Sequence, residues 1–395
     1  MNNEIELQRE IESLKKSPLF NLSLASKELF HSNFLAWFIE NNREETVQFF
    51  RDKFPHFQLR ELTGVDREKK HIDITIDFND GYKILIENKV KSLPIKSQLD
   101  GYCANLNRDR EVLILLSLYP DEYKPFLSYG EVLNWMEGIN KQLANSELEE
   151  LKRDFYITKD YIDFTRNLLA ISRLLMQNDS IFNFHSRSDL YREFYSVRLH
   201  DIFHKIKYKG INELVSKIIS KWLVEELGVP QEDHYKLYSP YDYFSRGTAA
   251  VNFNIPINGD PKFRKYFEIQ FQDNMLRFML FSNKCVSRQN DIHSIELFKG
   301  YFGFSQISSP LFTIPNMANN FNKYGDYIIY KYLLVNENCC MDELIHVIVD
   351  FIQQTILNVN QKQQAIDEFL DAPQTTNDNL SWSTFSDSCT SNVVI

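Results

Sequence analysis

Asp73, Glu87 and Lys89 are the residues of this chain whose types and spacing best suit hydrolytic chemistry at phosphorus. Asp73 lies in HIDITIDF, residues 71–78, and Glu87 and Lys89 close YKILIENK, residues 82–89. HIDITIDF alternates apolar and polar residues, the period of a strand with one buried face. The loop Asn79-Asp80-Gly81 between the two segments is a turn signal. A three-residue turn with glycine in the left-handed position pairs Phe78 with Tyr82. Counting back, Ile76 faces Ile84, Ile74 faces Ile86, and Asp73 faces Glu87. All the isoleucines then share one face. A slip of one residue sets Ile74 opposite Glu87, which burial penalises.

In that register Asp73, Glu87 and Lys89 lie together on the second face. Directly opposed side chains have Cβ atoms about 4.5–5.5 Å apart, so two carboxylates meet head-on. Like charges so placed destabilise a sheet unless something neutralises them. A divalent cation does so, and Mg²⁺ is commonly held by one or two carboxylates plus water and phosphate oxygens. Lys89, two residues from Glu87, can hold an attacking water and stabilise charge in the transition state. Glu28 can supply a further carboxylate from the preceding helix. Gln98 and Tyr102, four residues apart, share one face of a short helix and can orient Lys89, the water or a phosphate. Glu-x-Lys alone carries little weight, since it also begins at Glu68, Glu122 and Glu150. Only at Glu87 does it end an apolar strand with an acidic residue opposite. The plainer alternative is a solvated sheet face with ion pairs of Asp73 or Asp77 with Lys83 or Lys89.

The elements that position these residues follow from periodicity. Residues 1–17 read as a polar helix with Leu7, Ile11 and Leu14 on a narrow stripe. KELFHSNFLAWFIENN reads as a second helix, capped by Ser26 and ending near Asn41-Asn42. Phe30, Phe34 and Trp37 line one side of it, and Glu28, His31, Ser32 and Leu35 another. The continuous apolar run EVLILLSLYP fits a strand buried on both faces. GEVLNWMEGINKQL and residues 146–178 read as helices. The first 180 residues thus read α-β-β-α-β-α, an α/β unit. A second domain, 181–370, reads as α+β. It has helices to residue 227, strands at AAVNFNIPI, KYFEIQFQD and MLRFMLFSN, and later helices at 341–358 and 361–370. The stretch 371–395 holds no Lys, Arg or Glu and reads as a disordered tail.

The constellation resembles the PD-(D/E)XK phosphodiesterase superfamily, in a branch that begins with a Glu-x-x-His-Ser-x-x-Leu-Ala-Trp helix. Here that helix reads Glu28-Leu29-Phe30-His31-Ser32-Asn33-Phe34-Leu35-Ala36-Trp37. The metal-binding strand looks like His71-Ile72-Asp73-Ile74, the Glu-x-Lys strand Ile84-Leu85-Ile86-Glu87-Asn88-Lys89, and a Gln-x-x-x-Tyr helix runs from Gln98 to Tyr102. Ile72 stands where the superfamily's name has proline. Relatives also often place an arginine shortly before the aspartate, whereas Arg67 here is six residues away. The resemblance covers roughly residues 20–120. It implies a restriction-endonuclease-like core, a mixed sheet flanked by helices, with the α+β domain appended. It also implies Mg²⁺ or Mn²⁺ on Asp73 and Glu87, with Glu28 completing or ordering the site, and Lys89 assisting the water. The expected activity is metal-dependent hydrolysis of phosphodiester bonds, with DNA as substrate. Defence against phage, or repair, in a bacterial cytoplasm is the setting that relatives suggest.

Composition bounds the rest. A formal net charge of −10 excludes a generally basic nucleic-acid coat, so phosphate contact must come from a local surface or a metal. Residues 185–222 hold eight Lys or Arg against four Asp or Glu. Arg187, Arg192, Arg198, Lys205, Lys207 and Lys209 are the candidates there for backbone contact with nucleic acid, and a solvated helix face is the equal alternative. Asn252, Asn254, Gln270 and Gln272 share a later sheet face expected to meet water. The five cysteines, at no metal-binding spacing, read as reduced thiols of a cytoplasm. The N-terminal segment lacks the apolar centre of a signal peptide, and no run approaches a membrane span. Two alternatives stay open: a catalytically silent nuclease fold that binds nucleic acid, and a protein-interaction subunit of a defence system, partnered or self-associated through its C-terminal half.

Overall fold

The computed structural model describes residues 2–23, 27–69, 71–94, 96–119, 123–144, 148–177, 189–243, 249–257, 265–282, 301–302, 311–315, 321–336 and 339–371. Ser26, Arg187 and residues 372–395 of the expected tail lie outside them. Two compact units divide the chain: Met1–Asn178 with Arg192–Phe203, and Asp179–Tyr191 with His204–Ile395.

Helices α1 (Asn2–Lys16), α2 (Pro18–Leu22), α3 (Glu28–Asn41) and α4 (Arg43–Lys53) open the first unit. Strands β1 (Leu62–Lys69), β2 (Ile72–Phe78) and β3 (Lys83–Lys89) follow. Then come α5 (Lys96–Cys103), β4 (Glu111–Ser117), β5 (Phe126–Ser128), α6 (Tyr129–Leu143) and α7 (Glu149–Gln177). The sheet order is β1-β2-β3-β4-β5. The first three strands are antiparallel neighbours, whereas β4 runs parallel to both β3 and β5. This mixed sheet flanked by helices is a restriction-endonuclease-like α/β core.

The β2–β3 hairpin turns through one 3₁₀ turn at Asn79–Gly81, with Gly81 at φ +76°. The Phe78 N–H donates to the Tyr82 carbonyl at 2.9 Å, and Ile76 pairs with Ile84 and Ile74 with Ile86. Ile74, Ile76, Ile84 and Ile86 are all buried, and α3 packs against β1, β2 and β3. Leu113 and Leu115 of β4 form a cluster with Leu99 that also takes Leu85 and Tyr102, and Ile72, at the start of β2, packs there and not with the other isoleucines as the alternation predicts. Helix α5 is thereby held against the face that carries Glu87. A capping box starts α6: the Ser128 hydroxyl accepts the Glu131 N–H, and the Glu131 carboxylate accepts the Ser128 N–H. It places Tyr129, the first residue of the helix.

Periodicity leaves α4, β1 and β5 unread. Strand β1, LTGVDREK, has buried Leu62 at one end and exposed charges at the other. An edge strand with little apolar alternation gives no period-two signal. Strand β5 is three residues long.

Helices α8 (Asp189–Ser196) and α9 (His200–Glu225) follow. The second unit has β6 (Ser239–Tyr243), β7 (Ala250–Pro256), β8 (Tyr266–Gln272), β9 (Met275–Phe281), β10 (Phe312–Thr313), β11 (Asn322–Tyr324), β12 (Ile328–Val335) and α10 (Met341–Asp371). The sheet is antiparallel in the order β10-β12-β9-β8-β7-β6, with β11 beside β12. Helix α10 is two helical runs merged across Lys362, whose φ of −124° is not helical. No described helix is long and apolar enough to cross a membrane. Cys103, Cys339 and Cys340 are free thiols.

Candidate active site

Glu87 and Lys89 stand two residues apart on β3 and so point to one face. Lys89 Nζ lies 2.8 Å from Glu87 Oε1, with side chains only 11% and 3% exposed. Gln98 of α5 donates from Nε2 to the same Glu87 oxygen at 3.1 Å and contacts the Tyr102 hydroxyl at 2.8 Å. Tyr102 donates in turn to the His71 carbonyl at 3.0 Å. Helix α5 thus ties Glu87 to the start of β2, where Asp73 lies.

The regular pairing of β2 with β3 ends at Ile74–Ile86. Beyond it, the Asn88 N–H donates to Asp73 Oδ2 at 2.7 Å. The Asp73 carboxylate takes the place of a ladder acceptor. Burial, and then repulsion from Glu87, push the Asp73 carboxyl up to about 7 against the opposing Asn88 hydrogen bond and Lys89 charge. Burial also raises Glu87, with Lys89 working against it. Burial disfavours the Lys89 ammonium too, but Glu87, Glu28 and Asp73 outweigh it and hold its pKa above the ordinary lysine value. Two carboxylates whose ionisation is disfavoured beside one ammonium form a site short of positive charge.

Does this donor set suit a divalent cation? The second Glu87 oxygen, Oε2, is buried and has no hydrogen-bond partner. Buried carboxylate oxygens are rarely left so. Among the described residues, no group of three or more His, Cys, Asp or Glu side chains converges to cage a metal. An open site of two carboxylates fits Mg²⁺, which keeps several waters and shares its shell with phosphate oxygens.

One carboxylate oxygen of Glu28 is taken up by the turn after Lys89. This Oε1 accepts from the main-chain N–H groups of Val90 at 3.3 Å, Lys91 at 3.2 Å and Ser92 at 2.7 Å, and from the Ser92 hydroxyl at 2.5 Å. The first residue of α3 therefore folds the chain just after Lys89. Leu118 N donates to the Lys89 carbonyl at 3.2 Å, and the Tyr119 hydroxyl donates to that of Val90 at 3.2 Å. The far end of β3 is held from both sides.

The residues expected to contact nucleic acid fall in both units. Arg187 lies outside the described residues. Arg192 and Arg198 are exposed and belong to the first unit. Lys205, Lys207 and Lys209 belong to the second. Lys207 is buried, which removes it from the surface contacts, and Lys209 lies 3.6 Å from Glu213. The sheet face of Asn252, Asn254, Gln270 and Gln272 does not meet water freely: Asn252 is buried and the other three are half-buried. Arg277, also buried, contacts Gln270 and donates to Gln272 at 2.5 Å on that face.

Sequence reasoning passed over Asn88, treating it as a spacer between Glu87 and Lys89. A signal was present, since Asn88 continues the apolar row Ile84, Ile86 and breaks it with an amide.

Residues 19–158 match the model of a family in the PD-(D/E)XK nuclease superfamily. Over these residues the chain is similar to that superfamily. Neither the comparison with curated proteins nor that with solved structures gave a match.

Proposed function

We propose that the first unit hydrolyses phosphodiester bonds in nucleic acid, DNA foremost, with Mg²⁺ or Mn²⁺ held by Asp73 and Glu87. The observation that carries this reading is the buried, unpartnered Oε2 of Glu87, whose charge acts on Asp73. When bound, such an ion supplies Lewis acidity toward a phosphate oxygen and lowers the pKa of a bound water. Lys89 keeps a positive charge at the site, 2.8 Å from Glu87 Oε1. From there its ammonium donates to the attacking water or to an equatorial phosphate oxygen, stabilising the charge that builds at phosphorus. Gln98 holds the Oε1 side of Glu87, which leaves Oε2 as the free ligand oxygen. Tyr102 steadies Gln98, and Glu28 orders the turn behind Lys89. The free thiols fit a reducing compartment such as the cytoplasm.

The test is cleavage of labelled single- and double-stranded DNA and RNA with Mg²⁺, Mn²⁺ or EDTA, for the wild type, Asp73→Ala and Lys89→Ala. Metal-dependent cleavage lost in both variants is the expected result. Cleavage that persists undiminished in both rejects the assignment.

A further inference from the structure

Asn88 points to the opposite face from Glu87 and Lys89, and it is fully buried. Both ends of its amide are bonded. Nδ2 donates to the Ser32 hydroxyl of α3 at 3.1 Å, and Oδ1 accepts from the Tyr129 hydroxyl of α6 at 2.7 Å. The direction of these bonds is determined. Ser32 donates its one proton to the Glu28 carbonyl at 3.1 Å, so toward Asn88 it can only accept. Nδ2 must therefore face Ser32, and Oδ1 must face Tyr129, which donates.

Behind Tyr129 the same layer is pinned again. The His31 ring meets the Tyr129 ring edge-on with centroids 6.0 Å apart, and Tyr161 meets His31 Nδ1 at 2.9 Å. His31 is wholly buried. Tyr161 also stacks on Phe34 with ring centroids 3.8 Å apart. Each partner of the Asn88 amide is thus held by a second contact inside the core.

The main chain of this residue faces the other way, and its N–H is the donor to Asp73 Oδ2. We propose that Asn88 is a positioning residue of the ion site. Clamped between Ser32 and Tyr129, it fixes the height of β3 over the helices and, through its N–H, the place of the Asp73 carboxylate beside Glu87. The inference rests on the reading of Asp73 and Glu87 as the ion-binding pair. An apolar residue at 88 would fill the core as well. What the amide adds is a bonded registration of strand to helices, and supporting bonds of this kind tune a metal site without touching the ion.

The experiment measures Mn²⁺ affinity of the full chain by isothermal titration calorimetry, with the melting temperature in EDTA recorded alongside. Tyr129→Phe removes only a hydroxyl on the far side of the sheet from the ion, and Asn88→Leu removes both clamp bonds. Phe50→Leu, on the buried side of α4, serves as a control for general loosening. The expected result is Mn²⁺ affinity lowered about tenfold in Asn88→Leu and several-fold in Tyr129→Phe, and unchanged in Phe50→Leu. Wild-type affinity in Tyr129→Phe and Asn88→Leu, with binding abolished by Asp73→Ala, overturns the clamp and leaves the ion site standing. Should Asn88→Leu fail to fold, Tyr129→Phe decides alone. Full Mn²⁺ binding in Asp73→Ala overturns the ion-site reading, and the clamp with it.

Discussion

Glu28 accepts the Ser92 main-chain N–H at 2.7 Å through the same oxygen that takes those of Val90 and Lys91. The carboxylate of a helix's first residue thus satisfies three donors of a turn 62 to 64 residues away, next to Lys89. Its chief effect is to hold that turn. Glu28→Gln keeps an oxygen for the three N–H groups and removes the charge, so it should keep stability within about 1 kcal/mol and activity within about tenfold. Glu28→Ala strands the donors and should cost about 1–3 kcal/mol, with activity down about 10–100-fold. Urea unfolding and cleavage assays on both variants check this. Loss of Mn²⁺ binding in Glu28→Gln would make Glu28 a ligand instead.

Asp73 sets a pH dependence for the metal-free protein. Its folded pKa of about 7 lies above the ordinary aspartate value of 3.8. Between these values the folded state binds more protons than the unfolded one, so stability falls as pH rises. In EDTA, Asp73→Asn should therefore gain on the wild type in melting temperature between about pH 4 and 7, and the difference should level off above. Added Mn²⁺ should raise the wild-type melting temperature more at the alkaline end, because the ion competes with that proton. A difference independent of pH would show that Asp73 is not the group involved.

Lys89 and Glu87 form a buried pair, and breaking such a pair from one side strands a charge. Lys89→Met should destabilise the protein by about 3–5 kcal/mol near neutral pH. The loss should shrink at low pH, where Glu87 takes up a proton. Cleavage should fall by about 10²–10³-fold under conditions where the variant remains folded. Unfolding curves at acid and neutral pH separate the two effects.

Much of this site could be read from the chain because strand direction and turn geometry are local. The Asn79-Asp80-Gly81 turn and the isoleucine pairs determine the β2–β3 register as far as Ile74–Ile86, and beyond it the Asp73 carboxylate is met by the Asn88 N–H. The turn-holding role of Glu28 was not readable. It depends on the chain after Lys89 folding back to α3, which no short-range pattern encodes. Strand β1 escaped for a related reason, since its order comes from pairing with β2 and its own residues mostly face solvent. Asn88 lay within reach, because a polar residue in a buried apolar row must be bonded to something.

Gln98 reaches Glu87 Oε1 from α5, and Tyr102 supports it from one turn further on. Gln98→Leu keeps the bulk and removes the donor, freeing Glu87 Oε1 to Lys89 alone. Metal affinity or activity should fall about 10–100-fold, in the range expected for a group that orients a ligand. Tyr102→Phe should lose less, since Gln98 keeps its bond to Glu87. An equal loss in both variants would mean that the link from Tyr102 to the His71 carbonyl is what the site needs.

In the second unit, Glu268 of β8 is buried on the face that carries Arg277. Burial pushes its carboxyl up to about 8, with Arg277 opposing. A carboxyl whose folded pKa exceeds the ordinary glutamate value of 4.5 loses stability for the fold as pH rises through that interval. Glu268→Gln keeps the shape and cannot ionise. The variant should match the wild type near pH 5 and melt higher than it near pH 8. This unit should show the effect in Mn²⁺ and in EDTA alike, because neither Asp73 nor Glu87 takes part. A melting difference that vanished on adding Mn²⁺ would place the titrating group in the first unit, and Glu268 would not be its source.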